Sequence, residues 1–129
     1  MEQLKRILHV EDDEDIREIA RLSLETVGGF ELLQCEDGRK APELARDFAP
    51  QLFLLDVMMP EFSGEETLNA LRQLPEYANI PAIFMTAKVH EDEIALCKAW
   101  GAVAVIGKPF DPMTLPEQIK SFWDVHQHD

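Results

Sequence analysis

The sequence has few positive charges and no long apolar run. It holds 12 lysines and arginines against 25 aspartates and glutamates, a net charge of −13, which opposes contact with nucleic acid phosphates or an anionic membrane surface. No stretch approaches the roughly 18 apolar residues of a membrane span, and the charged residues 1–6 do not form a signal region. We therefore expect a cytoplasmic protein that binds neither nucleic acid nor membranes.

Cysteine motifs and nucleotide-binding loops are also missing. The two cysteines, Cys35 and Cys97, lack a CxxC spacing, so we expect buried free thiols rather than a metal site or a disulfide. No glycine-rich loop follows the first apolar segment, which argues against a nucleotide-binding fold. The length of 129 residues and the apolar content of 46% suit one globular domain, and we predict a single domain over residues 1–129.

Apolar segments of strand length alternate five times with segments of helical periodicity. The predicted strands cover residues 4–10, 30–35, 52–56, 80–87 and 103–109. The segments between them carry apolar residues three or four positions apart, which is typical of helices with one buried face. This alternation predicts an α/β fold, a doubly wound (βα)5 arrangement with parallel strands and right-handed crossovers.

Capping signals mark two of the helix starts. Ser63 and Glu66 have the spacing of a capping box, so a helix is predicted to begin after Ser63. The last helix has two possible starts, a cap at Asp111-Pro112 or a capping box made by Thr114 and Glu117. We favour the second, because it places the following proline in the first turn, where proline is tolerated.

Polar side chains follow the apolar strands near their carboxyl ends. Glu11 and Asp12 come after the first strand, Asp56 ends the third, Thr86 lies near the end of the fourth, and Lys108 ends the fifth. The carboxyl ends of parallel strands share one edge of the sheet, and ligands of open α/β sheets bind at this edge. We therefore expect these five side chains to converge.

The chemistry of the converging groups points to a phosphoryl site. Three carboxylates brought together repel one another unless a cation lies between them, and carboxylate and carbonyl oxygens suit Mg²⁺. A lysine and a hydroxyl placed around Asp56 would stabilise a phosphoryl group, with Asp56 as the nucleophile that forms an aspartyl phosphate.

Each of these residues also has an ordinary structural interpretation. Asp56 is the first polar residue after a buried strand, where turns favour aspartate. The acidic run over residues 11–15 suits a helix N-terminus, Thr86 suits a strand, and Lys108 before a proline suits a surface turn. If all of these ordinary interpretations were true, compatible groups would stand at four strand ends by accident. We therefore favour the phosphoryl site.

In these features the chain resembles the receiver domains of two-component response regulators, of the single-domain chemotaxis-regulator kind. The resemblance covers essentially the whole chain. It implies a flavodoxin-like fold with a five-stranded sheet in the order 2-1-3-4-5. Its motifs are Val10-Glu11-Asp12, Leu55-Asp56-Val57-Met58-Met59-Pro60 followed by Gly64, Met85-Thr86-Ala87, and Lys108-Pro109-Phe110.

The resemblance assigns the acidic residues to phosphorylation. Asp56 would accept the phosphoryl group from a phosphohistidine on a sensor histidine kinase or a histidine phosphotransfer protein. Asp12 would bind Mg²⁺ directly and Glu11 through water, with Asp56 and the backbone carbonyl of Met58 completing the protein ligands. Mn²⁺ is expected to substitute for Mg²⁺.

The resemblance also assigns the residues around the phosphoryl group. Thr86 and Lys108 would contact the phosphoryl oxygens, and the small Ala87 would leave the site open. The Lys108–Pro109 peptide bond is expected to be cis. Val105 stands where the family often has the tyrosine or phenylalanine of its switch, so we expect the output to rely on the loop and helix after Thr86.

Met58 and Lys88 occupy positions that tune hydrolysis of the aspartyl phosphate in the family. A long apolar side chain and a long cation there predict slow self-dephosphorylation. Beyond that reaction and its own phosphorylation, the chain is expected to catalyse nothing.

Output is expected to go through a downstream protein target. The last predicted helix leaves no room for an output domain, and partners would meet the face formed by the helix after Thr86, the fifth strand and the last helix. Trp100, Trp123 and Val105 are the candidate exposed residues there, although an aromatic residue at helical spacing more often belongs to the core. A monomer or weak dimer is expected.

Two other functions compete with this interpretation. A small phosphohydrolase with an aspartate nucleophile usually carries a second aspartate two residues further on, where this chain has Met58. A receiver excised from a larger hybrid kinase or regulator is the other alternative, and the Met1 start argues against it.

Overall fold

The computed structural model describes residues 2–127. The strands are β1 Arg6–Val10, β2 Glu31–Cys35, β3 Leu52–Asp56, β4 Ala82–Thr86 and β5 Ala104–Gly107. The helices are α1 Glu14–Arg21, α2 Ala41–Phe48, α3 Gly64–Arg72, α4 Glu91–Ala99 and α5 Leu115–Gln127. The strands form one parallel sheet in the order β2-β1-β3-β4-β5. The predicted α/β fold and the strand order implied by the resemblance are both confirmed.

Both faces of the sheet are covered by helices. Strands β3 and β4 are buried along their whole length, because their uninterrupted apolar sequences can pack on both sides. Alternate residues of these strands enter two different cores. Leu54 packs with α5 and the end of the first helix, whereas Phe53 and Leu55 pack with α2, α3 and α4. The sheet is thus fixed from two sides, which holds its strand ends in place.

The first helix is not α-helical along its predicted length. The α-helical part ends at Arg21, and a π-helical segment follows from Leu22 to Val27. Two consecutive side chains of this segment, Ser23 and Leu24, are buried. The Ser23 hydroxyl donates a hydrogen bond to the Pro112 carbonyl at 2.5 Å, which ties this segment to the loop between β5 and α5.

The two predicted helix starts are confirmed, with one difference in the caps. Ser63 and Glu66 form the complete capping box at the start of α3. Helix α5 begins at Leu115, after Thr114 as favoured. The predicted capping box of Thr114 with Glu117 is wrong, because the Thr114 hydroxyl instead donates to the Asp111 carbonyl at 3.4 Å. Its first turn is held by Asp111, whose backbone carbonyl accepts hydrogen bonds from the amides of both Thr114 and Leu115.

Exposure of Trp123 was predicted wrongly. Its side chain is only 4% exposed and packs among the residues of the core beneath α5, and its indole N–H donates to the Glu2 carbonyl at 3.0 Å. Helical spacing of apolar residues in α5 favoured this buried position. Trp100 and Val105 are half-buried, and Cys35 and Cys97 are buried free thiols, as expected.

None of the helices within residues 2–127 has the length and apolar character needed to cross a membrane.

Candidate functional site

The parallel register brings the predicted residues to one edge of the sheet. Asp56, the last residue of β3, pairs with Met85 of β4, and Thr86 pairs with Gly107, the residue before Lys108. Glu11 directly follows β1. The five side chains that the sequence predicted to converge therefore lie on neighbouring strand ends, as their sequence positions required.

Three carboxylates form the acidic part of the site. One oxygen from each of Glu11, Asp12 and Asp56 lies within 4.8 Å of the others. Glu11 is 1% exposed and Asp56 is 3% exposed, whereas Asp12 is open to solvent. Two of the three carboxylates have therefore lost most of their water, which makes their mutual repulsion costly.

Lys108 is the cation that contacts both buried carboxylates. Its Nζ lies 2.8 Å from Oε1 of Glu11 and 2.9 Å from Oδ1 of Asp56. Burial alone would lower the pKa of Lys108, but its hydrogen bonds to the two carboxylates outweigh burial and raise that pKa. The ammonium is therefore charged, and it bridges the end of β1 to the end of β3.

One ammonium does not compensate the site fully. Burial raises the pKa of Glu11 to about 7, although the hydrogen bond from Lys108 opposes the shift. Burial likewise raises the pKa of Asp56 against the effect of Lys108. Both shifts show that a second positive charge would be favourable here. The hard oxygens of Glu11, Asp12 and Asp56 fit a divalent cation such as Mg²⁺.

The hydroxyl of Thr86 is buried beside this group. Thr86 is 1% exposed, and its Oγ1 accepts a hydrogen bond from the Lys88 amide at 3.0 Å. The side chains of Ala87 and Lys88 are exposed. The Lys108–Pro109 peptide bond is cis. Roles in phosphoryl binding for these residues, and for the Met58 carbonyl in metal binding, stay predictions.

An apolar cleft of about 530 Å³ opens onto the site. Asp56, Thr86 and Lys108 lie in its lining. The other lining residues are Ile16, Ile19, Met58, Ala87, Lys88, Pro109 and Phe110. The polar groups can therefore be reached from solvent through a passage with largely apolar walls.

Val105 of β5 lies beside Phe84 of β4 in the sheet. It is half-buried and packs against the core on the side of α2, α3 and α4. The nearby aromatic pair is Phe84 with Trp100, whose ring centres are 5.7 Å apart in an edge-to-face arrangement.

The acidic run serves two purposes at once. Glu11 and Asp12 belong to the site, whereas the Asp13 carboxylate caps α1 by accepting hydrogen bonds from the amides of Asp15 and Ile16. The helix N-terminus interpretation is therefore confirmed for Asp13, whereas metal binding by Glu11 and Asp12 stays a prediction.

A buried polar network behind the site was missed from the sequence. Gln34 of β2 donates from Nε2 to the Arg17 carbonyl at 2.7 Å and lies 3.1 Å from Nδ1 of His9. Burial lowers the pKa of His9 to about 3, so the ring is neutral and its Nδ1 can accept this hydrogen bond. A histidine between the apolar residues Leu8 and Val10 of β1 was the available signal.

Comparison with known proteins identifies the family. A model of the response regulator receiver domain matches residues 7–120. The chain belongs to this family. Receiver domains are signalling switches rather than metabolic enzymes, and they bind Mg²⁺ at an acidic cluster of the kind that Glu11, Asp12 and Asp56 form here.

Individual relatives support the same assignment for this receiver domain. The phosphate regulon transcriptional regulatory protein PhoB of Pseudomonas aeruginosa is 38% identical over 117 residues, 91% of this chain but 51% of that protein. The chain thus spans about half the length of this relative. The polar-differentiation response regulator DivK of Brucella anthropi is 33% identical, with 92% of this chain and 95% of that protein covered.

The structural comparison agrees. The chemotaxis protein CheY4 of Vibrio cholerae superposes with a TM-score of 0.85 at 28% identity, covering 92% of this chain and 98% of that chain.

Without divalent cations, we predict that the contribution of Glu11 to stability decreases as the pH rises through 7. Its folded pKa of about 7 lies above the ordinary 4.5, so the folded protein binds this proton more tightly than the unfolded chain. The stabilisation is complete below about pH 4.5 and is lost through pH 7. Urea unfolding in EDTA at pH 5.5 and 7.5 measures it as the free-energy difference between the unmodified chain and Glu11→Gln.

That difference should shift in favour of Glu11→Gln at the higher pH, and an excess of Mg²⁺ at pH 7.5 should reverse the shift. A difference that is equal at the two pH values would show that the buried carboxyl does not titrate as proposed.

Proposed function

We propose that this receiver domain is a phosphorylation-controlled switch that accepts a phosphoryl group on Asp56 from a phosphohistidine. The observation that carries the proposal is the position of Asp56. Its buried carboxylate is contacted by Lys108, lies within a three-carboxylate cluster, and faces a cleft that opens to solvent. A donor can reach such a carboxylate through the cleft, and the Lys108 ammonium and two further carboxylates lie beside it.

In the proposed transfer, an oxygen of Asp56 attacks the phosphorus of the phosphohistidine. The new P–O bond forms as the P–N bond breaks, and the electron pair of the P–N bond stays on the departing imidazole. Lys108 holds its positive charge beside Asp56, so it can neutralise charge on the phosphoryl oxygens as they arrive. Thr86 Oγ–H can donate to one of these oxygens, since Thr86 lines the same cleft as Asp56.

The metal ligands of this proposal are Glu11, Asp12, Asp56 and the Met58 carbonyl. Mg²⁺ bound there supplies charge neutralisation for the carboxylates and the phosphoryl oxygens. The two acidic residues after β1 differ in their exposure. Asp12 is exposed and accessible to an incoming ion, whereas Glu11 is buried and held by its contact with Lys108.

The walls of the cleft favour a protein donor with an apolar surface around its histidine. Ile19 and Met58 are 45% and 63% exposed beside the passage, so a partner that covers them would remove apolar surface from water. A sensor histidine kinase or a histidine phosphotransfer protein with an apolar collar around the phosphohistidine meets this requirement.

The proposed output signal starts at Thr86. Its hydroxyl now accepts the hydrogen bond from the Lys88 amide, and a phosphoryl oxygen would compete for this hydroxyl. A shift of Thr86 would therefore move the loop that leads into α4. Output is proposed to pass through a protein partner that detects this loop and helix, since Val105 provides no aromatic ring to swing.

The lifetime of the aspartyl phosphate is proposed to be long. Met58 and Lys88 both line the cleft above Asp56, and Met58 is 63% exposed at its mouth. Over a phosphorylated Asp56 these two long side chains would hinder a water molecule that approaches in line with the P–O bond.

The central test is intact mass spectrometry of the chain with a small phosphodonor and Mg²⁺, alongside a phosphohistidine protein as donor. One phosphoryl adduct of about 80 Da is expected, lost in Asp56→Asn and without Mg²⁺. Asp47→Asn is the matched control, because Asp47 is an exposed aspartate of α2, and it should be labelled normally. The absence of an adduct with both donors would reject the proposal.

The lifetime is tested with the double variant Met58→Asn, Lys88→Glu. Once phosphorylated, it should lose the phosphoryl group about tenfold faster than the unmodified chain, because shorter polar and acidic side chains admit and orient water. Release of phosphate after removal of the donor measures the rate. Rapid release from the unmodified chain, with no acceleration in the double variant, would contradict the proposed shielding.

A further inference from the structure

Arg17 of α1 contacts the backbone that carries two of the three acidic side chains. Its Nη1 donates to the Glu11 carbonyl at 2.9 Å and to the Asp12 carbonyl at 3.0 Å. One nitrogen thus holds two consecutive carbonyls of the loop between β1 and α1. These hydrogen bonds involve a charged donor, so they are stronger than bonds between neutral groups.

The backbone of Arg17 is in turn held by a residue of strand β2. Gln34 donates to the Arg17 carbonyl at 2.7 Å and also lies 3.1 Å from the neutral ring of His9. His9 and Gln34 are neighbours across the paired strands β1 and β2. Helix α1, which carries Arg17, is therefore held against the sheet at the level of His9, two residues before Glu11.

We propose that Arg17 is the positioning residue of the divalent-cation site. By holding the carbonyls of Glu11 and Asp12, it fixes the backbone from which both carboxylates project toward Asp56. This inference rests on the proposed function, because it concerns the cation that phosphorylation requires. Arg17 touches neither the cation nor the phosphoryl group, and its effect passes through the loop.

Because Arg17 is positively charged, a positioning role and a purely electrostatic role predict different effects of removing it on cation binding. If Arg17 acted only as a nearby positive charge, removing it would tighten cation binding, because like charges repel. If it positions the loop, removing it would weaken binding, since loss of the residues that orient metal ligands typically lowers affinity by about 10–100-fold. The two roles thus predict changes of opposite sign.

The test measures Mn²⁺ binding to the folded chain by electron paramagnetic resonance of the free ion. Arg17→Gln should bind Mn²⁺ at least about tenfold more weakly than the unmodified chain. Arg21→Gln is the matched control, because Arg21 lies one turn further along α1, is exposed, and carries the same charge. Its affinity should be equal or slightly higher.

Arg17→Lys keeps the charge and tests the geometry. A lysine ammonium lacks the planar guanidinium and contacts the two carbonyls less well than arginine does. It should therefore recover only part of the affinity, leaving Mn²⁺ binding about threefold weaker than in the unmodified chain. Circular dichroism verifies that each variant is folded. If Arg17→Gln does not fold, Arg17→Lys carries the test, and affinity equal to that of the unmodified chain would overturn the inference.

The possible results distinguish a failure of the positioning role of Arg17 from a failure of the proposed phosphorylation of Asp56. Unchanged or tighter Mn²⁺ binding by Arg17→Gln, in a chain that still accepts a phosphoryl group on Asp56, overturns the positioning role alone. An unmodified chain that binds no Mn²⁺ and accepts no phosphoryl group overturns the proposed function and this inference together.

Discussion

The interaction on which the site depends is the contact of one lysine with two buried carboxylates. Lys108 approaches Glu11 and Asp56 to 2.8 Å and 2.9 Å, and it joins strand ends that are far apart in the sequence. Without it, the apolar strands would bring together carboxylates that cannot both stay ionised out of water. With it, one charge is balanced and the other is not, which leaves the site suited to a divalent cation and, beside it, a phosphoryl group.

The fold provides this arrangement through the apolar strands. Because β3 and β4 are covered on both faces, their ends cannot shift without opening one of two cores. Gly64 shows how closely the next helix follows, since an added Cβ would lie 2.3 Å from the Asp56 carbonyl oxygen and 3.0 Å from the Phe84 ring. The position of Asp56 is therefore set by packing, and its chemistry by the few polar groups that packing allows nearby.

Much of this could be predicted from the sequence. Periodicity gave the five βα units, and the single polar residues at the ends of apolar runs identified Asp56, Thr86 and Lys108 because their environment is so uniformly apolar. Contacts between side chain and backbone could not be predicted in the same way. The hydrogen bonds of Arg17 to two carbonyls and the change from α-helix to π-helix after Arg21 depend on local geometry that leaves no periodic signal. Trp123 was misplaced although its spacing from Leu115 and Ile119 favoured the buried face of α5.

In the ion-free protein, Lys108 contacts both buried carboxylates and balances one of their two charges. Urea unfolding of Lys108→Met in EDTA at pH 7.5 tests it most directly, with Lys98→Met, an exposed lysine of α4, as the control. We predict that Lys108→Met lowers the free energy of unfolding by about 3 kcal/mol, as expected when one partner of a buried ion pair is removed, and that saturating Mg²⁺ restores a substantial part of it. A variant as stable in EDTA as the unmodified chain would contradict the account.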